Sequence, residues 1–387
     1  MVKIKLGDVI DFKNGKSVKK SDGIIPIYGG NGILGYTDKS NFSHTIVVGR
    51  VGAYCGSIHV EDNSCWVSDN AIAGVPKEGQ DLTYLYYVLK SLNLNSKQIG
   101  SSQPLITQSM LKDMVVDIEI DIEKQKKIAN SISIIDQKIQ INNQINQELE
   151  AMAKTLYNYW FVQFDFPDQN GKPYKSSGGK MVYNLELKRE IPEGWGVEKL
   201  GELAQFKNGI NYEKTSSGSE KVKIINVRNI SSSTIFINQT DLDEIFLEND
   251  KSTNFIVNEG MILITRSGIP GATRLVSELE AKTVYSGFII ASEVNDLIYK
   301  NLIFYYLKHV EEVLKNQSAG TIMKNISQSV LTDMAVSLPP QNLLLKFNSI
   351  IDNLLEQMKN VQRQNQELTQ LRDWLLPMLM NGQVKVE

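Results

Sequence analysis

The stretch IANSISIIDQKIQINNQINQELEAMAKTLYNYW, residues 128 to 160, decides the architecture, because the chain carries it twice. Stepping by four and three in turn from Ile128 meets Ile132, Ile135, Ile139, Asn142, Asn146, Leu149, Ala153, Leu156 and Trp160. Such alternating steps are the a/d seam of a coiled coil. The same ladder restarts at Phe347 and meets Ile351, Leu354, Met358, Val361, Asn365, Leu368, Arg372, Leu375 and Leu379. Asn146-Gln147-Glu148-Leu149 returns unchanged as Asn365-Gln366-Glu367-Leu368.

A seam of two apolar residues per heptad needs a partner helix to leave water. Its nearest partner is its own copy. If the first helix leads away from one globular domain and the second leads back from another, the pair is antiparallel. At ~1.5 Å per residue each helix is ~50 Å long, the length of ~15 base pairs of B-DNA, which makes it a fixed ruler between two domains. Asn146 and Asn365 share a seam position, where they either pair to lock the register or fall at a wet helix end.

Working outward, residues 1–121 are rich in glycine and in short β-type runs such as Ile24-Ile25-Pro26-Ile27-Tyr28 and His44-Thr45-Ile46-Val47-Val48. They predict a curled sheet with helices over residues 83–91 and 107–114. Residues 122–165 form the first helical spacer. Residues 166–192, studded with Gly, Lys and Ser, read as an exposed linker. A second globular domain, 193–338, opens with Leu200-Gly201-Glu202-Leu203-Ala204-Gln205-Phe206-Lys207-Asn208-Gly209, as the first opens with Leu6-Gly7-Asp8-Val9-Ile10-Asp11-Phe12-Lys13-Asn14-Gly15. It also closes like the first, Ser327-Gln328-Ser329-Val330-Leu331 against Thr107-Gln108-Ser109-Met110-Leu111. Residues 339–387 carry the second helix and a tail. The expected fold is therefore α+β, two globular domains separated by two long antiparallel coiled-coil helices in a pseudo-two-fold internal repeat. Matched frames around diverged interiors imply one scaffold presenting two surfaces.

Composition narrows the role. No run approaches the ~18 apolar residues of a spanning helix, and the first residues lack an apolar leader core, which argues against a membrane role. Two cysteines, Cys55 and Cys65, give no disulfide framework and point to the reducing cytoplasm. A formal net charge of −3 is too low for binding nucleic acid by bulk electrostatics alone, so any such role rests on local patches or on partners.

Catalytic motifs are incomplete. Asn14-Gly15-Lys16-Ser17 resembles the end of a phosphate-binding loop, but the opening glycine would fall at Ile10. Asp168, Glu186 and Lys188 mimic a metal-dependent nuclease pattern on a linker rather than on rigid strand ends. Cys55, His59 and Cys65 lack the paired cysteines of a zinc deaminase and read as core or turn residues. The cofactor loop and catalytic tetrad of an amino-methyltransferase are also missing, so no metal or catalytic residue is assigned.

Polar residues suited to reading bases remain. The first domain offers Lys13, Asn14, Lys16, Ser17, Lys19, Lys20, Tyr28, Asn31 and Arg50, with Ser102 and Gln103 in a later polar loop. The second offers Lys207, Asn208, Asn211, Tyr212, Lys214, Lys223, Asn226, Arg228, Asn229, Arg266, Ser267 and Lys324. Arginine can bond two acceptors on guanine and asparagine two groups on adenine, while lysine and serine hold phosphates. Any one of these residues reads equally as a solvated loop side chain. The recurrence of Lys-Asn-Gly and of Arg-x-Gly in both halves favours function for the set.

With these words in place the chain resembles the specificity subunits of type I restriction-modification systems. The words are Glu123-Lys124-Gln125-Lys126-Lys127-Ile128-Ala129, Leu149-Glu150-Ala151-Met152-Ala153-Lys154, Tyr159-Trp160-Phe161-Val162-Gln163-Phe164-Asp165-Phe166 and Glu190-Ile191-Pro192-Glu193-Gly194-Trp195. The family's Leu-Pro-Pro helix entry stands at Leu338-Pro339-Pro340, whereas the first copy has Glu119-Ile120-Asp121-Ile122. The resemblance implies two target recognition domains, each reading half of a bipartite double-stranded DNA site, and a helical pair that sets the spacer and docks two methyltransferase subunits. Those subunits would methylate adenine N6 with S-adenosylmethionine, and up to two restriction subunits would use ATP and Mg; this chain would bind no cofactor and catalyse nothing. Two other readings remain, a protein-interaction scaffold with a coiled-coil spacer and a metal-dependent nuclease.

Overall fold

The computed structural model describes residues 1–97, 105–212, 218–317 and 326–384. The fold is α+β, gathered into two compact units, Met1–Asn143 with Arg363–Glu387, and Gln144–Gln362. Each unit holds one globular domain and part of both long helices, Ile122–Tyr157 and Gln341–Met380. Pro339 and Pro340 separate the strand Ala335–Leu338 from the second long helix, whose first turn has no use for their missing N–H groups. The first helix starts by another device. The Asp121 carboxylate accepts from the Glu123 and Lys124 amides at 2.9 and 3.4 Å, an N-cap in place of the prolines. Among the described residues no helix is long and apolar enough to cross a membrane.

The two globular domains share one strand plan. In the first, Val2–Lys5 pairs antiparallel with Val115–Ile118. A four-stranded antiparallel sheet runs in the order Ile10–Asn14, Ala71–Pro76, Thr45–Gly49, Ile58–Glu61. A three-stranded sheet sets Ile25–Gly29 between antiparallel Gly32–Thr37 and parallel Trp66–Val67. The second domain repeats all three. Gly196–Lys199 pairs with Ala335–Leu338, and the four strands are Ala204–Asn208, Ile289–Val294, Ile262–Thr265 and Thr273–Leu275. Glu220–Ile225 again lies between an antiparallel strand, Asp243–Leu247, and a parallel one, Thr283–Tyr285.

The repeat extends to single contacts. Lys5 pairs with Asp113 at 2.9 Å and Lys199 with Asp333 at 3.4 Å. Thr107 and Ser327 each accept, at 3.2 Å, from the amide three residues on, capping equivalent short helices. A Cβ on Gly15 would stand 1.9 Å from the Ser68 carbonyl oxygen, and one on Gly209 would stand 2.3 Å from that of Ser286. The recurring Lys-Asn-Gly therefore has a packing reason for its glycine.

Both long helices are built into the domain cores. In the first unit the sheet and the helix Leu82–Ser91 pack on Ile128, Ile132, Leu376, Leu379 and Met380. Arg372 Nη1 then donates to Asp136 Oδ1 at 2.9 Å, while Tyr87 and Lys90 donate to the other oxygen at 2.9 and 3.4 Å. Further along, Asn142 Nδ2 donates to Asn365 Oδ1 at 2.9 Å and Asn365 Nδ2 to Asn143 Oδ1 at 2.8 Å. Numbers rise on one helix as they fall on the other, so the pair is antiparallel here. In the second unit Leu149, Ala153, Tyr157 and Trp160 share a core with Phe347, Ile351, Leu354 and Met358. The Phe161 ring stands edge-on to Phe347 at 4.7 Å. Ile135 is buried, and Ile139, Asn146, Leu156, Val361, Leu368 and Leu375 are half-buried.

Two expectations change. Asn365 bonds Asn142 and Asn143 rather than Asn146, because in an antiparallel pair equivalent residues face each other only at the pseudo-two-fold axis. Residues 166–192, though mostly exposed, are not a loose linker. Met181–Asn184 and Arg189–Pro192 form a hairpin, Asp165 accepts from the Ser176 amide and hydroxyl at 2.7 and 2.6 Å, and Phe166 stacks between Tyr174 and Trp195. These aromatic rings tie the segment into the core of the second unit.

Burial pushes the Asp136 carboxyl up, but the bond from Arg372, the charge of Lys90 and the bond from Tyr87 hold it below its ordinary value. A carboxyl lowered on folding stabilises the fold above its unfolded pKa and stops doing so as pH falls through the folded one. Asp136→Asn should therefore cost about 1–3 kcal/mol of unfolding free energy at pH 7. In denaturant titrations the gap to wild type should narrow below the ordinary value of 3.8. A gap that stayed constant down to pH 3 would refute the assignment.

Candidate nucleic-acid interface

The recurring polar words meet at one end of the four-stranded sheet. In the first domain the Gly15 amide donates to the Ala71 carbonyl at 3.1 Å and the Arg50 amide to the Asn70 carbonyl at 3.0 Å. Lys13-Asn14 and Arg50 thus flank Asn70-Ala71 on neighbouring strand ends. In the second domain Gly209 donates to Ile289 at 3.0 Å and Arg266 to Phe288 at 2.9 Å, so Lys207-Asn208 and Arg266 flank Phe288-Ile289. The turn after each arginine passes through a glycine in the left-handed region, Gly52 at φ +73° and Gly268 at φ +81°. Strands ~4.8 Å apart place the outer two of three ends ~10 Å apart, roughly three base-pair steps.

Around this end the first domain supplies exposed cations. Lys13 pairs with Asp11 at 3.0 Å, while Lys16, Lys19 and Lys20 make no ion pair among the described residues. Their loop, with exposed Ser17, is held where the Trp66 indole donates to the Lys16 carbonyl at 2.6 Å. Exposed Asn31 occupies the turn before Gly32–Thr37. Arg50 is half-buried, and its Nε has no partner among the described residues. Tyr28 departs from the expectation of a loop-borne reader. It is buried in an apolar cluster beside a register shift at Ile27/Tyr28, its hydroxyl donates to Glu61 at 3.1 Å, and burial followed by the Glu61 charge pushes its pKa up to about 12.

In the second domain several candidates are engaged in the fold. Asn229, 1% exposed, accepts from the Asn226 amide at 2.8 Å and donates to the Asp241 carbonyl at 2.7 Å. Asn226 and Asn229 form a capping box on the helix Val227–Ser232, and Tyr212 donates to Asn226 at 3.2 Å. Arg228 is clamped by Asp243 at 2.7 Å and Asp241 at 3.3 Å, and the bond to Asp243 raises its pKa first. Asn226 and Asn229 hold a helix to a loop, and Arg228, though exposed, is engaged by the two aspartates. Lys207 pairs with Glu293 at 3.0 Å and Lys223 approaches Glu280 at 4.0 Å. Asn208 and Ser267 are half-buried, and Asn211 is exposed. Ser102, Gln103, Lys214 and Lys324 lie outside the described residues. Residue-type reasoning passed over Phe288 and Tyr54, exposed aromatics at or beside the two sheet ends. Their one signal in the sequence is an aromatic next to a strand-end glycine or arginine word.

The other constellations are separate. Cys55 donates to the Arg50 carbonyl inside one apolar cluster, while Cys65 lies in another, where burial followed by the Glu61 charge lifts its thiol to about 12. His59 bonds the Gly30 carbonyl at 3.1 Å. Asp168 accepts from the Asn170 and Lys172 amides of its own turn, both at 2.8 Å.

Residues 1–151 and 192–370 match the type I restriction modification DNA specificity domain. The chain belongs to that family. It is similar to the type I restriction enzyme MjaIX specificity subunit of Methanocaldococcus jannaschii, 29% identical over 322 residues, 81% of this chain and 71% of that protein. It is similar also to the HindI specificity subunit of Haemophilus influenzae, 23% identical over 335 residues, 73% of this chain and 71% of that protein. The crystal structure of a type I S subunit from M. genitalium shares the fold, with a TM-score of 0.59, 20% identity and coverage of 98% of this chain and 96% of that one. The role of a specificity subunit is DNA sequence specificity, as the non-catalytic part of a restriction-modification complex.

Two substitutions separate support from reading. Asn229→Ala should destabilise the protein by about 1–2 kcal/mol through its lost cap, visible in denaturant unfolding. Arg266→Ala should leave unfolding within ~0.5 kcal/mol of wild type yet lose about 1–3 kcal/mol of discrimination at one base pair, measured by binding to duplexes varied at each position. Loss of stability without loss of discrimination in Arg266→Ala would remove it from the interface.

Proposed function

We propose that each globular domain reads one half of a bipartite, asymmetric DNA site through the major groove, using the sheet end that carries Lys-Asn-Gly and Arg-x-Gly. The observation that carries this reading is that one backbone arrangement recurs with different side chains in the two domains, as two unlike half-sites require. Lys13, Lys16, Lys19, Lys20 and Lys207 hold phosphates, while Asn14, Asn208, Arg50 and Arg266 face base edges. The long helices set the number of unread base pairs between the half-sites.

The same helices dock two methyltransferase subunits. Ile134, Ile141, Ile145, Met152 and Tyr159 are exposed along the first helix and its last turn, at spacings of seven, four, seven and seven. Ile134 and Ile141 in the first unit, and Ile145, Met152 and Tyr159 in the second, each form an exposed stripe that the partner helix leaves uncovered, and a stripe of that kind marks an interaction face. The docked subunits flip an adenine from each half-site and methylate N6 with S-adenosylmethionine. Restriction subunits, two at most, bring ATP and Mg; this chain holds no cofactor and works in the cytoplasm. Partners closing on the duplex supply the positive charge that a chain of net charge −3 lacks.

Methylome sequencing of cells expressing this chain with its methyltransferase subunit tests the reading. A two-part motif with an N6-methyladenine in each part is expected, and exchange of residues 1–121 should alter one part only. Removing one matched heptad from both long helices should change the gap while leaving both parts intact. A continuous motif, or half-sites altered by the heptad deletion, would sink the ruler. Ile141→Glu with Met152→Glu should abolish copurification of the methyltransferase while the protein melts as wild type. Undiminished copurification would move the docking face elsewhere.

A further inference from the structure

Phe288, 62% exposed, is the most exposed aromatic residue among those described. It is not on a loose loop. The Arg266 amide donates to its carbonyl at 2.9 Å, Ile289 pairs with Thr265 in the sheet, and Gly209 bonds the Ile289 carbonyl on the other side. A phenyl ring held uncovered in the turn that opens a sheet strand is available to an apolar group of a bound partner. Arg266 Nη1 donates to the Gly287 carbonyl at 3.2 Å, which ties the guanidinium to the residue before Phe288 and leaves other N–H groups for a base edge. Neighbouring strands are ~4.8 Å apart and base pairs ~3.4 Å, so the two side chains suit adjacent positions in one groove. In the first domain the equivalent position is Asn70, also exposed, whose carbonyl accepts from Arg50 at 3.0 Å.

We propose that positions 70 and 288 are equivalent specificity-determining positions, and that Phe288 selects a thymine beside the base pair contacted by Arg266, through the thymine C5-methyl group. This rests on the reading of the sheet end as the major-groove face. The C5-methyl is the apolar feature of the major groove, whereas the other base edges present donors or acceptors that a phenyl ring would desolvate without bonding. Phe288 therefore both attracts thymine and rejects cytosine, guanine and adenine. Asn70 has the amide that bonds an adenine edge, so the same backbone position reads opposite members of an A·T pair in the two domains.

The test uses the complex with its methyltransferase and duplexes bearing the motif that methylome sequencing identifies. Each thymine of the second half-site, on either strand, is replaced in turn by uracil, which pairs alike but lacks the methyl. One replacement should weaken binding ~4-fold or more, the worth of one buried methyl. Phe288→Ala should bind thymine and uracil duplexes equally, Phe288→Leu should keep part of the preference, and both should melt as wild type because the ring is exposed. A preference that survives in Phe288→Ala, or the absence of any uracil-sensitive position, overturns the assignment. So does a loss of affinity in Phe288→Ala that ignores the methyl, since it would make the ring a wedge between base steps. Arg266→Ala serves as the control. If it relaxes the half-site while Phe288→Ala does not, the thymine assignment alone fails; if neither alters it, the reading of the sheet end fails.

Discussion

An apolar stripe two residues wide per heptad cannot be buried by its own helix, and in this protein it is buried by its repeat. Ile128 and Ile132 share a core with Leu376, Leu379 and the first domain's sheet, and Leu149 and Ala153 share one with Phe347, Ile351 and the second domain's sheet. Helix pair and globular domain thus share one core in each unit. Polar residues interrupt the seam at a cost to stability, since a leucine pair would bury more. In return only one alignment joins Asp136 to Arg372 and gives the Asn365 amide two partners. A slip of one heptad would break all three bonds and leave an arginine facing an apolar stripe.

What repeats and what varies are divided by the same logic. Glycines stand where Ser68 and Ser286 carbonyls leave no space for a side chain, and the capping hydroxyls, the short antiparallel clasp and its lysine-aspartate pair recur. These fix the backbone. Exposed side chains around it are free to differ, so exposed Val51 is matched by Ser267 and Asn70 by Phe288. The second domain also interposes the helix Val227–Ser232, held by Asn229 and Arg228, within its three-stranded region. One scaffold therefore tolerates both single exchanges and inserted elements without losing the strand order.

The seam, the frames and the helix entry at Pro340 were legible because their signals are local and periodic, and the structure agrees with them. The identical strand order of the two interiors was not, since it is set by pairings between strands as far apart in sequence as Ile10 and Pro76, whose side chains share no pattern with Ala204 and Val294. Among the candidate readers, an asparagine that caps a helix has the same side chain as one that reads adenine. Asn229 is buried with its amide on the Asp241 carbonyl, and Tyr28 is buried in an apolar cluster with its hydroxyl on Glu61, contacts with residues distant in sequence. The hairpin over residues 181–192 was hidden by Gly, Lys and Ser, which outnumber the three aromatic residues that order the segment. Phe288 was passed over because apolar residues are expected to point inward.

The charge pattern suits a reader that must leave wrong sites quickly. Lys13 and Lys207, next to the last residue of their strands, form exposed pairs with Asp11 and Glu293. Exposed pairs of this kind contribute about 0–1 kcal/mol, so a phosphate can take the place of a carboxylate at little cost. In the absence of a phosphate the carboxylates screen the cations and keep sequence-independent attraction low. Affinity for any duplex grows with the number of phosphates neutralised, so carboxylates that occupy the lysines lower it, whereas the base-edge contacts proposed for Arg266 and Arg50 lose nothing to these acids. In the proposed reading, carboxylates paired with these lysines thus raise the ratio of specific to non-specific binding, and that ratio matters more than affinity when correct sites are vastly outnumbered.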